Sequence, residues 1–256
     1  MFRLIGRWRY NVNVSMHKVI LVTGAAQRLG AQIARTLHAA GYCVVIHHHH
    51  SQSAAQALVA QLNHQRANTA LALRADLGDA SAIAPLIAAA AAHWGRLDGL
   101  VNNAAVFRAT PVAQASAADW ADIFDINLRA PFLLSQAALP WLDQAGGTIV
   151  NLTDIYAERS KAGFPLYSAA KAGLAGLTRA LAQELAPTIR VNAVAPGAIL
   201  WPEAGDLTEQ NRLLTRTPLG RRGEPQDIAE AVLYLIGAAF VTGQTIAVDG
   251  GRSVSG

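Results

Sequence analysis

One cysteine, Cys43, stands in 256 residues, so no internal disulfide can brace the chain. No stretch approaches the roughly 18 to 20 uninterrupted apolar residues that a membrane span requires. Basic side chains are scattered singly apart from Arg221-Arg222, so the cationic stripe that nucleic acid demands is missing. Only 15 % of residues are charged against 52 % hydrophobic, which excludes a disordered chain and supplies one sizeable core. These absences read as a soluble, cytoplasmic protein without a nucleic-acid or membrane partner. The first 15 residues contain neither an apolar h-region nor a small-residue cleavage site, so they do not form a signal peptide. We expect residues 1–15 to be a disordered extension and residues 16–256 to form a single domain.

Short β-branched runs alternate with longer alanine-rich segments of helical spacing. That alternation predicts repeated βαβ units and a doubly wound parallel sheet of seven strands with helices on both faces. The strands read as Val19–Val22, Cys43–Ile46, Thr69–Leu73, Leu100–Val101, Thr148–Leu152, Arg190–Val194 and Thr245–Val248. Helices are expected over Gly30–Ala40, Ser51–Gln65, Asp119–Leu142, Tyr167–Leu185 and Glu224–Ile236, with Pro131 kinking or splitting the third. Between Gly197 and Pro218 neither period holds, and an irregular stretch of that length in a compact α/β domain is usually a binding loop. Trp201 is the substrate contact expected on it.

The first strand runs into Thr23-Gly24-Ala25-Ala26-Gln27-Arg28-Leu29-Gly30, a glycine-containing turn and a helix start. Gly24 permits the turn, Gly30 allows helix and strand to pack closely, and the free N–H groups of the helix point at a pyrophosphate. Arg28, where a glycine is common, could contact a phosphate or a planar ligand. Dinucleotide folds place an acid after the second strand when the ribose 2′-hydroxyl is free, and a basic group when it is phosphorylated. Here the segment reads Ile46-His47-His48-His49-His50-Ser51, without an acid, which favours NADPH over NADH. Neighbouring side chains on an extended segment point to opposite faces, so these histidines are not expected to converge on a metal. Asp76-Leu77 and Asn103-Ala104 fall at strand carboxyl ends, where open α/β sheets bind ligands. A mild net charge of +4 is compatible with a phosphate-bearing cofactor.

The sequence has only three lysines, Lys18, Lys161 and Lys171. One of them lies four residues after Tyr167, which puts a phenol and an ammonium on one helix face. An ammonium near a phenol favours the phenolate, so the tyrosine is expected to serve as an acid near neutral pH.

Taken in order, Thr23-Gly24…Gly30, Asn102-Asn103-Ala104, Asn127, Tyr167-x-x-x-Lys171, Pro196-Gly197 and Thr242-Gly243-Gln244…Val248-Asp249-Gly250-Gly251 resemble the short-chain dehydrogenase/reductase family. The resemblance covers about residues 17–252. It implies a Rossmann fold and a homotetramer. It also implies Tyr167, Lys171 and Asn127 as catalytic residues, with Leu29, Lys171, Pro196 and Gly197 added to the cofactor contacts. Members usually carry serine 13 residues before the tyrosine and glycine at position 28; this chain has Asp154 and Arg28. Those departures, with Phe107 and the His47-x-His49-x-Ser51 run, are similar to the pteridine reductase branch, where the run usually ends Arg-Ser rather than His50-Ser51.

That resemblance implies NADPH-dependent reduction of a C=N bond in a dihydropterin or dihydrofolate, with Tyr167 giving a proton and Asp154 sharing it. Arg28 and Phe107 would hold the substrate ring, and Asn127 would support a water-borne proton path. A general ketone, 3-ketoacyl or sugar reductase is the alternative within enzymes. A dinucleotide-binding protein without turnover is the alternative outside them.

Overall fold

The computed structural model describes residues 18–199 and 213–255. The expected extension over 1–15 and Trp201 therefore lie outside the described residues, as do residues 200–212 of the irregular loop.

Seven parallel strands form one sheet in the order β3-β2-β1-β4-β5-β6-β7. They are β1 (Val19–Val22), β2 (Cys43–His48), β3 (Ala70–Arg74), β4 (Gly99–Asn102), β5 (Thr148–Leu152), β6 (Arg190–Pro196) and β7 (Thr245–Val248). Side chains alternate in direction along each strand, and both directions are buried: Ile20 and Val22 join one core, Val19 and Leu21 the other. On the first face lie α1 (Arg28–Ala39), α2 (Gln52–Gln65) and, with the number α7, Pro225–Gly237. On the second lie α3 (Ile83–Ala92), α5 (Ala130–Ala145) and α6 (Pro165–Glu184). The Rossmann architecture expected from the alternation is the observed one.

Helix α3 was not expected. Its sequence, Ile-Ala-Pro-Leu-Ile followed by five alanines, offers no polar residue to mark a face, so no helical period can be read from it. Pro131 does not split the third predicted helix. Instead α4 (Ala117–Phe124) passes through a π-helical turn at Asp125–Arg129 into α5, and Pro131, which lacks an N–H for the helical ladder, follows directly on that turn. That π turn carries Asn127, which is fully buried.

No helix among the described residues is long and apolar enough to cross a membrane. The strand order reverses between β1 and β4, and the segments leaving their carboxyl ends diverge there. Open α/β sheets bind ligands at such a crevice.

Candidate active site

At this crevice the turn after β1 is held against the turn after β4. Thr23 Oγ1 accepts from the Asn103 and Ala104 N–H groups at 2.9 and 3.0 Å, and Asn103 Nδ2 donates to the Thr23 carbonyl at 2.8 Å. Gly24 has φ +61 and lies so near Ala104 that a Cβ there would come within 3.0 Å of its Cα. A Cβ on Gly30 would reach 2.4 Å from the Gly24 carbonyl oxygen. The turn thus requires glycine at 24 for conformation and at 30 for close approach. Gln27 caps α1 without a side-chain hydrogen bond, and no acid lies in the first turn. The helix therefore presents its amino end to the cleft with nothing to repel an anion.

Arg28 occupies the left-handed region at φ +52. The family's usual glycine fits that conformation freely, whereas arginine holds it at roughly 1–2 kcal/mol. Its exposed side chain lines the cleft.

The histidine run divides by position. His47 is buried, accepts from the Gly24 N–H through Nδ1 at 3.1 Å, and pairs through Nε2 with the Ala75 carbonyl at 3.2 Å. Burial pulls its pKa down to about 4, so the ring is neutral at pH 7. Within the run expected to meet the cofactor, His47 has both ring nitrogens engaged and braces the glycine turn as a neutral ring. His49 and His50 stack at the mouth with ring centroids 3.6 Å apart, and His49 Nε2 lies 3.8 Å from Asp76. Asp76, Leu77, Ser51, Pro196 and Gly197 all border the same cleft. Its volume is about 1130 Å³.

The reacting groups meet where β5 ends and α6 begins. Asn151 on β5 donates to Thr178 on α6 at 2.9 Å, which fixes the helix against the strand. Tyr167 then donates its hydroxyl to Asp154 Oδ2 at 2.8 Å, while Asp154 Oδ1 accepts from the Tyr156 N–H at 2.9 Å. One turn along α6, Lys171 donates Nζ to the Leu152 carbonyl at 2.6 Å. Tyr167 and Lys171 are only 4 % and 2 % exposed.

Burial dominates the electrostatics. It raises the Asp154 carboxyl above the usual carboxylate range, against the opposing pull of the Tyr156 and Tyr167 donors and of Lys171. It also raises the Tyr167 phenol, and the Asp154 charge raises it further. Lys171 falls to about 8, lowered by burial and partly restored by Asp154. Of the two opposing effects expected on the phenol, a lowering by Lys171 and a raising by Asp154, the raising prevails, reinforced by burial. The Asp154 partner was expected and is observed; the burial of the phenol was not visible in the spacing.

Asn127 does not face this trio through its amide. Its side chain accepts from the Val106 N–H at 3.1 Å and donates to the Val106 carbonyl at 2.9 Å. On the other side Arg108 pairs with Asp119 at 2.9 Å and Asp122 at 2.7 Å. Phe107 is thus held on a loop fixed at both neighbours and is 51 % exposed, so it does not plug the core. It stacks on Phe164 at 4.7 Å and meets Tyr167 edge-on at 4.8 Å. Sequence reasoning missed Phe164, as well as Tyr156 and Lys161, whose ammonium lies 4.7 Å from the Phe164 ring centre. Lysine scarcity was the one signal that could have drawn attention to Lys161.

The switch-point glycine turn and the half-buried Asp154 beside the buried Tyr167 and Lys171 define the class: a doubly wound α/β oxidoreductase fold. A family model described as enoyl-(acyl carrier protein) reductase matches residues 24–253. The 3-oxoacyl-[acyl-carrier-protein] reductase of Staphylococcus aureus is 37 % identical over 244 residues, covering 93 % of this chain and 99 % of that protein. Pteridine reductase 1 of Leishmania tarentolae is 36 % identical over 279 residues, covering 93 % and 96 %. A blue fluorescent protein from a metagenomic library, solved in complex with NADPH, superposes with a TM-score of 0.86 at 37 % identity, covering 92 % of this chain and 97 % of that one. The chain belongs to the short-chain dehydrogenase/reductase family.

Proposed function

We propose that the protein is an NADPH-dependent reductase of a pterin C=N bond. The hydrogen bond from Tyr167 to Asp154 is the observation that carries this reading. The curated relatives are mostly 3-oxoacyl-[acyl-carrier-protein] reductases, at 36–38 % identity, with pteridine reductase 1 at 36 %, so the pterin reading does not rest on the relatives. The site residues therefore carry the discrimination. A carboxyl beside the tyrosine, unlike a serine hydroxyl, can release and retake a proton in the pH range of the enzyme's work. It can hold a proton for a ring nitrogen.

The residues lining the cleft fit a phosphorylated dinucleotide: an uncapped helix amino end, an exposed Arg28 and a strand end without an acid. When bound, that cofactor supplies a hydride for the ring carbon. Lys171 would hold its nicotinamide ribose from the floor of the cleft.

The protein's own part is the proton. With Tyr167 held above its usual value, a free phenolate is excluded as a stable participant at neutral pH. With Asp154 raised, its carboxyl retains a proton further toward neutrality than an ordinary carboxyl does. A protonated Asp154 donates to the Tyr167 oxygen as the Tyr167 hydroxyl donates to the substrate nitrogen. The carboxyl ends ionised, the phenol neutral, and the nitrogen protonated. Phe107 offers one aromatic face for a flat ring. Single-turnover measurement of NADPH oxidation with dihydrobiopterin tests the reading: absence of oxidation, alongside turnover of a 3-ketoacyl thioester, overturns it.

A further inference from the structure

The π-helical turn at Asp125–Arg129 sends three consecutive side chains against three different segments. Ile126 lies against the loop after β3, where a Cβ on Gly78 would come 3.8 Å from its Cδ1. Asn127 holds the Val106 N–H and carbonyl with its amide, one residue before Phe107. Leu128 fills the space that Gly173 leaves on α6, for a Cβ there would come 2.9 Å from Leu128 Cδ2. One turn of helix therefore touches the loop after β3, the loop of Phe107 and the helix of Tyr167 and Lys171.

Arg129 ties the turn to the first of these. Its guanidinium pairs with Asp125 across the turn at 3.0 Å and donates to the Gly78 carbonyl at 2.8 Å. The Gly78 N–H donates to Asp76 Oδ1 at 2.8 Å, and both residues border the cleft that fits the dinucleotide. A π turn is rare because ordinary α-helical hydrogen bonding competes with it, so contacts from outside fix its register. Here they come from both ends of the cleft: from Gly78 through Arg129, and from Val106 through Asn127.

We propose that Arg129 is a positioning residue that couples the two ends: NADPH settling against Asp76 and Gly78 steadies the π turn through Arg129, and the turn steadies Val106 and Phe107 through Asn127. Coupling of this kind is reciprocal, so a ligand held by Phe107 also tightens the hold on NADPH. The Arg129 contacts are partly exposed, which makes each of them weak on its own. Their main effect is on the order of the Phe107 loop. This coupling needs NADPH in the cleft and is indifferent to whether the substrate is a pterin.

Amide exchange read by mass spectrometry on the full chain, with and without saturating NADPH, compares the wild type with Arg129→Met and Asp125→Asn. In the wild type NADPH should slow exchange in the peptide containing Val106 and Phe107 by at least about fivefold, the lower range of coupling between sites. Arg129→Met keeps much of the side chain's apolar stem without its donors. It should bind NADPH within about fivefold of the wild type, as for loss of an exposed pair, yet lose most of that slowing. Asp125→Asn, which frees Arg129 from the turn, should lose part of it. A merely structural arginine would loosen the loop equally with and without NADPH. An Arg129→Met protein whose Phe107 loop is slowed by NADPH as in the wild type overturns the coupling, and so does a wild type whose loop NADPH leaves unchanged. Should Arg129→Met fail to fold, Asp125→Asn decides by the same comparison. No substrate enters the measurement, so its failure leaves the pterin reading untouched.

Discussion

Asp154 holds the Tyr167 hydroxyl with one carboxylate oxygen and the Tyr156 N–H with the other, so a single side chain both ends β5 and faces the reacting phenol. Because Asp154 must be protonated to start the relay, the rate should fall as pH rises through its raised value. A second loss should follow near pH 8, where Lys171 gives up its proton. A pH profile of kcat/KM for dihydropterin checks the order of the limbs. A rate that climbs from pH 5 to 7 would show that the carboxylate, not the carboxylic acid, is the active form.

Arg28 is strained where glycine would be relaxed. Arg28→Gly should leave the melting temperature unchanged or raised, by up to about 1 kcal/mol of stability, while raising KM for NADPH or for the pterin about tenfold. Thermal unfolding and steady-state kinetics together decide it. A loss of stability with unchanged KM would make the arginine a structural residue.

The two ends of the histidine run should separate. His47 braces Gly24 as a neutral ring, so His47→Ala should weaken NADPH and NADH by similar factors. Ser51→Asp, at the exposed end, should weaken NADPH alone, by about tenfold, through repulsion of the 2′-phosphate. His50→Arg should tighten NADPH, because a guanidinium carries its charge at every pH and grips a phosphate with two donors. Dissociation constants for both cofactors measured on the three variants test this. Selective loss of NADPH in His47→Ala would restore that histidine as a direct phosphate contact.

Trp120 and Phe124 stack on α4 with ring centroids 4.1 Å apart, and Trp120 and Phe132 remain exposed. We expect four copies of the 27.0 kDa chain to assemble, with this aromatic pair buried between two of them. Sedimentation of the wild type and of Trp120→Glu checks it. The wild type should run as a tetramer and the variant as a smaller species; a single-chain mass for the wild type contradicts the expectation.

What could be read in the sequence followed from local signals. The strands announced themselves as β-branched runs, and Tyr167 with Lys171 as a pair one turn apart. Helix α3 did not, because alanine fits every face and marks none. The state of Tyr167 was legible only in part: Asp154 was expected beside the phenol, but burial, the larger influence on it, is not encoded in the spacing of the three residues. His47, expected among the cofactor contacts, is a neutral brace because β2 is buried between two layers, which its neighbours in sequence do not show. Phe164 and Tyr156 acquire meaning only when the loops after β4 and β5 come together.

The central claim is that Asp154 and Tyr167 protonate a pterin nitrogen as one unit. Kinetics of Asp154→Ala, Tyr167→Phe and the double variant on dihydrobiopterin test it most directly, with circular dichroism to show that each folds. Each single change should lower kcat by roughly 10²-fold or more, and the double variant should be hardly worse than the poorer single one. A folded Asp154→Ala that reduces dihydrobiopterin at the parental rate would contradict the account.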